Sequence, residues 1–250
     1  MNRTDLLVHW KGRDIHTDMA TLTDDHRRRY VERLMDIVGN GFWMTRPPEN
    51  LTGAHVVSSS GTVSFTYSTD MTCFTELRLS ASGSHAKAFG LLGLSVSRRY
   101  VLDRWGAPVH YVRNAGDERI VGAFIRLRYL VGRLCRTGAK EADEAIGYVD
   151  YLGAFLKAMS CRGRDDYRHL DEQEWRVVVT EPQLKKGTMV ATGHHEPEYR
   201  LKLSPGDLRL VVFPDAETRS MAVARDEFQA FRSATGDGPH LLTVQECEQF

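Results

Sequence analysis

Two observations predict an α+β fold with a mixed or antiparallel central sheet and flanking helices. Segments that read as strands outnumber those that read as helices, and several of the strands are adjacent in sequence. "LLVHW" (6–10) is a continuous apolar run too short for a helix, so it reads as a buried strand ending in the polar turn "KGRD". Residues 24–38 carry Tyr30, Val31, Leu34, Ile37 and Val38 at helical spacing, with acids in the first turn and "GNG" as the stop. Prolines 47 and 48 argue against regular structure there, and the Ser/Thr/Gly-rich stretch 50–70 reads as a long loop or a twisted hairpin. "MTCFTELRLS" (71–80) begins as a strand, apolar at Met71, Cys73, Phe74 and Leu77, yet it carries Glu76.

A strand (91–97), a short helix (98–106) and a strand (107–113) follow. Residues 118–136 predict a helix with Ile120, Phe124, Leu127, Val131 and Leu134 inward and Arg119, Arg126 and Arg133 on the other side; Arg128 falls on the apolar face. A second helix is expected over 140–159 with Ala145, Val149, Leu152, Leu156 and Met159 inward. Strands are predicted at 174–180, 199–204 and 208–214, then one helical segment "AETRSMAVARDEFQAFRSA" and a closing strand "HLLTVQE". The chain reads as one unit over residues 1–250, in which 199–250 could form a C-terminal subdomain.

Composition excludes several classes. With 42% hydrophobic and 26% charged residues the chain is of ordinary globular type. Equal numbers of basic and acidic residues, 33 each, supply no general attraction to nucleic acid. No apolar run of about 18 residues is present and no secretory signal is visible, so no membrane span and a cytoplasmic location are expected. Cys73, Cys135, Cys161 and Cys247 are scattered without a C-x-x-C pair, which suggests neither a zinc ribbon nor a disulfide framework, and Cys73 reads as an inert thiol. The phosphate-loop, dinucleotide, zinc-protease and nucleophile-elbow motifs are absent. "HHE" at 194–196 lies in a polar loop and reads as a solvated turn, so no metal is expected.

A dispersed polar set remains: His9, "CFTE" at 73–76, His85, Tyr111, and Glu174 with Arg176. Polar groups at the ends of core strands are costly to desolvate unless they are paired or used, which makes them candidates for a shared cleft. The plainer alternatives are a structural His9, a surface ion-pair ladder of Glu174 and Arg176, and a Glu76 bonded to Arg78. A guanidinium on the apolar stripe must find a carboxylate or a ligand anion, so Arg128 is expected to meet Glu76 or Glu174. Glu76 is expected in a cleft with His85 and Arg128. The arginine stripe, with "RRR" at 27–29, leaves a nucleic-acid target open as a further reading.

"LVHWKG", "CFTELRLS", the histidine, "AFGLLGLSVSRRYVL" and "GAPVHYV" together resemble the AbiGi family of abortive-infection proteins from bacterial phage-defence loci, over roughly residues 6–113. Phe89 departs from the tyrosine usual in that family, and Ser95 from its glycine-led end. The resemblance implies a phage-defence component, an antitoxin whose cognate partner is a nucleotidyltransferase-like toxin. The order of an early strand histidine, "GFWMT" and a late strand glutamate is similar to ADP-ribosyltransferases, and implies NAD as cofactor. In that likeness His9 holds a ribose hydroxyl, Glu174 stabilises the oxocarbenium-like state, and Trp43 or Tyr111 stacks on the nicotinamide. Glu76 joins His9 and Glu174 as a candidate catalytic group, and His85 and Arg128 join the residues expected to hold NAD. The alternative is a non-catalytic antitoxin or interaction module that neutralises a partner toxin.

Overall fold

The computed structural model describes residues 5–54, 62–76, 79–113, 118–159, 172–194 and 197–249. The chain opens with β1 (Leu6–Lys11) and α1 (Asp24–Asn40). Thr23 caps α1, Asp24 and Asp25 complement its dipole, and Tyr30, Val31, Leu34, Ile37 and Val38 form its buried face. It stops at Gly41, whose φ of 94° and close approach to Leu201 O, 2.3 Å from where a Cβ would stand, admit no side chain. Then come β2 (Phe42–Met44), the hairpin β3 (Pro48–Ala54) and β4 (Thr62–Ser68), β5 (Met71–Thr75), α2 (Ser82–Phe89), β6 (Leu92–Ser97) and α3 (Arg98–Leu102). The middle of the chain holds β7 (Ala107–Pro108), β8 (His110–Val112), α4 (Arg119–Cys135), α5 (Lys140–Gly153), β9 (Leu156–Ala158) and β10 (Glu174–Val178). The last part holds α6 (Glu181–Lys186), β11 (Met189–Ala191), β12 (Tyr199–Leu201), β13 (Leu208–Phe213), α7 (Ala216–Val223), α8 (Asp226–Ser233), β14 (His240–Thr243) and α9 (Val244–Cys247).

These elements make an α+β fold around a mixed seven-stranded sheet of order β14-β13-β6-β1-β5-β10-β7. Only β13–β14 is parallel within it. β13 pairs with β6, so the C-terminal strands lie within the main sheet. Leu7, Leu94, Val211 and Phe213 share one core with Leu34 and Ile37 of α1 and Phe228 of α8. A three-stranded sheet, β11-β12-β2, stands beside it. Among the described residues no helix is long and apolar enough to cross a membrane.

Several boundaries differ from the sequence reading. Pro48 opens β3 instead of preventing structure; the hairpin is its own two-stranded sheet, so β3 has a free edge where a missing N–H is tolerated. The strand expected over 107–113 divides between two sheets at Val109. The helix expected to reach residue 159 ends at Gly153, and the chain returns as β9, parallel to β8. α4 is turned from its expected orientation: Val131 is buried as expected, but Val121 and Gly122 are buried with it, whereas Ile120, Leu127 and Leu134 are exposed. The buried side covers Leu51 and Val112.

Candidate functional site

β1 and β5 are joined at the single register position Val8–Thr75, so they part toward Lys11 and Met71. β5 continues in full register with β10, where Thr75 faces Glu174 and Cys73 faces Arg176. Antiparallel partners share a face of the sheet, so these four side chains lie together. The parted strands leave a cavity of about 240 Å³, lined by His9 and Lys11 of β1, Cys73 and Thr75 of β5, Glu174 and Arg176 of β10, and Lys157 of β9. Trp10, Glu172, Thr45, Pro47 and Phe89 complete the wall. His9 and Glu174, far apart in sequence, therefore meet at one hollow.

Glu174 is deeply buried and its carboxylate is bound on both oxygens. Arg176 Nε donates to Oε1 at 2.6 Å, and Lys157 Nζ donates to Oε2. Arg176, 1% exposed, also donates to Ala154 O at 2.6 Å, and Lys157 donates to Glu172 at 2.7 Å. Burial works against the charge on Glu174, yet Arg176 and Lys157 outweigh it and hold the carboxyl below its usual range. Burial likewise opposes the Lys157 ammonium, and Glu174 and Glu172 more than reverse this, raising its pKa. The pair is not the surface ladder of the plainer alternative but the centre of a buried ionic cluster, because β10 lies between β5 and β7 and is covered on both faces.

His9 donates from Nδ1 to Cys73 O at 2.7 Å, which leaves Nε2 as the lone-pair nitrogen. That atom is buried without a hydrogen-bond partner among the described residues. Burial first and Lys11 second bring the His9 pKa down to about 3, so the ring is neutral. It packs edge-on to Phe42 with centroids 5.1 Å apart, and tilted against Phe74. Lys11 is itself lowered by burial and by Arg33, and among the described residues it has no carboxylate partner; its Nζ lies 5.7 Å from the Trp43 ring. Burial and the neighbouring Glu174 push the Cys73 thiol far up, in keeping with an inert thiol.

The other expected site residues lie elsewhere. Glu76 follows the end of β5 one residue past Thr75, and the strand period of two turns it to the opposite face from Glu174. There it accepts from Arg98 at 2.7 Å and from Trp175 Nε1 at 3.0 Å, so it is not grouped with His85 or Arg128. Arg78 lies outside the described residues. His85 stands on α2 beside Phe89, ring centroids 6.0 Å apart, and does not line the cavity. Arg128 meets neither glutamate: it binds Asp150 of α5 at 2.6 Å and lies 4.5 Å over Phe65. Trp43 donates to Asp36, and its ring is flanked by Arg33 at 4.2 Å and Arg200 at 5.6 Å, cations drawn to its negative face. It is held between α1 and β12 instead of facing the cavity. Tyr111 Oη accepts the Glu174 backbone N–H at 2.8 Å, docking β8 against β10, and burial raises its pKa to about 12.

Lys157 and Lys11 were absent from the sequence expectations. A helix drawn through 159 puts Lys157 on a helical surface, and the signal against it was "YLGAFLKA", where Gly153 stops the helix ahead of a strand. Lys11 reads as the start of a turn but is the last residue of β1. A larger hollow of about 680 Å³ lies between Trp105, α5 and the start of α6. Its ionic groups include Arg128 and Asp150, paired with each other. No group of three or more His, Cys, Asp or Glu side chains among the described residues could hold a metal ion. Comparison with protein-family models, with curated proteins and with solved structures gives no match.

Proposed function

We propose that this chain is an anti-phage abortive-infection component of the AbiGi kind that acts by binding a partner protein, not by turning over NAD. The observation that carries the binding reading is the state of Glu174. A carboxylate that stabilises an oxocarbenium-like centre must present uncompensated negative charge to it. Glu174 already has a guanidinium on one oxygen and an ammonium on the other. The hollow beside it, about 240 Å³, is also below the roughly 300–1,000 Å³ usual for small-molecule sites. The phage-defence part rests on the likeness of roughly residues 6–113 to that family.

A second reading, an ADP-ribosyltransferase-like enzyme modifying a macromolecule, is favoured by one observation: His9 and Glu174 line the same hollow, with the unpartnered Nε2 on His9. The two readings separate in a melting experiment. Under the binding reading, millimolar NAD leaves the melting temperature unchanged and no nicotinamide is released. A rise in melting temperature by ligand linkage, with turnover abolished in Glu174→Gln, would overturn it.

A further inference from the structure

The outer face of α4 carries a pattern the fold does not use. Ile120, Ala123, Leu127, Leu130 and Leu134 follow one another at spacings of three and four, the a and d positions of a heptad. Arg119, Arg126 and Arg133 occupy all three preceding g positions. In a packed helix such a stripe faces a neighbour, yet here Ile120 is 64% exposed, Leu127 48%, Leu130 42% and Leu134 54%, and all three arginines are exposed. The helix meets the protein through a different side, with Val121 and Ile125 over Leu51 and Val112. The seam is therefore additional to the face that holds α4 in place. Seventeen residues of helix extend about 25 Å, enough for a little over two heptads of pairing.

Charge decides what would cover it. A second copy of this chain is a poor occupant. In an antiparallel pair the arginine row would face its own equivalent, and in a parallel pair it would face e positions, which within α4 are Phe124 and Val131. Neither arrangement gives the arginines a carboxylate. A helix with apolar a and d positions and glutamate or aspartate along its flanks satisfies both the apolar stripe and the arginine row. We propose that α4 docks an acidic amphipathic helix of a partner protein, with Leu127 and Leu130 at the centre of the seam and Arg126 and Arg133 selecting the partner by charge. This rests on the binding reading above and names the chemistry of its partner.

The probe is a labelled synthetic helix of about three heptads with Leu at a and d and Glu at e and g, titrated against the full chain by fluorescence anisotropy. Saturable binding is expected. Leu127→Gln with Leu134→Gln should weaken it about thirtyfold, as loss of central apolar anchors does. Arg126→Glu with Arg133→Glu should weaken it about tenfold and shift preference to a matched peptide with Lys at e and g. All four side chains are exposed, and an unchanged circular dichroism melt confirms that each variant folds. No saturation by about millimolar peptide overturns the proposal, as does a wild-type dimer in sedimentation that Leu127→Gln dissolves. Binding to duplex DNA or to phosphatidylserine vesicles in preference to the peptide, undiminished by the leucine substitutions, also overturns it. The two ideas fail separately: NAD turnover removes the binding reading whatever the peptide does, and a null peptide titration removes the seam while NAD remains without effect.

Discussion

The cavity cluster and the outer face of α4 reverse the usual placement of charge and grease. At the cavity, Glu174, Arg176 and Lys157 are withdrawn from water and bonded to one another. On α4, isoleucine and leucines face outward beside a row of arginines. Burying charges is tolerable only when each has its counter-ion and remaining hydrogen-bond partners, and this cluster supplies them from β9, β10, Glu172 and Ala154 O. Exposing a continuous apolar seam costs little to an isolated helix but favours association. The difference teaches that the ionic cluster is bound up with the fold, while the seam is spare to it.

That contrast can be broken by substitution, and the cluster should respond most. Arg176→Ala leaves Glu174 buried with one fewer counter-ion and should cost about 3–5 kcal/mol in urea denaturation. A loss below about 1 kcal/mol would mean that water enters the cluster freely. Next, Lys157→Met should cost about 2–4 kcal/mol, and a double-mutant cycle with Glu174→Gln should show coupling of about 1–3 kcal/mol. Additive losses would remove the idea that these groups act as one unit.

The acid limb of stability sharpens the same comparison. His9 is neutral in the fold, with its pKa near 3, whereas an unfolded histidine titrates near 6.5. Below about pH 6.5 the unfolded chain binds a proton that the native chain refuses, so stability present above that pH falls by up to about 1.4 kcal/mol per unit toward pH 3. Glu174 acts later: its lowered pKa contributes stability above the ordinary carboxylate range, and this is lost only as pH falls below it. Chemical denaturation of His9→Asn between pH 7 and 5 should therefore give a flatter profile than the wild type. An unchanged slope would place the titration on another group.

The seam should show the smallest effect on stability. Leu127→Gln and Leu130→Gln should each leave the melting temperature nearly unchanged, within about 0.5 kcal/mol, because both side chains are exposed. A loss of about 2 kcal/mol or more would show that these leucines already pack in the isolated chain.

Local pattern made part of this legible. The period of α1 and its flanking acids and glycines predicted the helix closely, and the short apolar run at its start predicted β1. The pairing of Glu174 and Arg176 on one strand face followed from the period of two. What stayed hidden required partners distant in sequence. Lys157 joins the cluster only because Gly153 ends α5 and β9 pairs with β8. Glu76 misses the cluster because the register of β5 against β10 turns it to the Arg98 and Trp175 side.

By itself the sequence determined where the amphipathic helices and apolar strands form, since those choices depend on residues within a few positions of one another. It also determined that α4 has more apolar surface than one contact needs: Ile120, Leu127 and Leu134 lie on one line and Val121 on another. Only the tertiary structure decided which line is covered, because burial is settled by competition among neighbours, and Leu51 and Val112 meet the Val121 side. It likewise decided that His9 and Glu174 share a hollow, since the parting of β1 from β5 is a property of two strands joined at one position and belongs to neither alone.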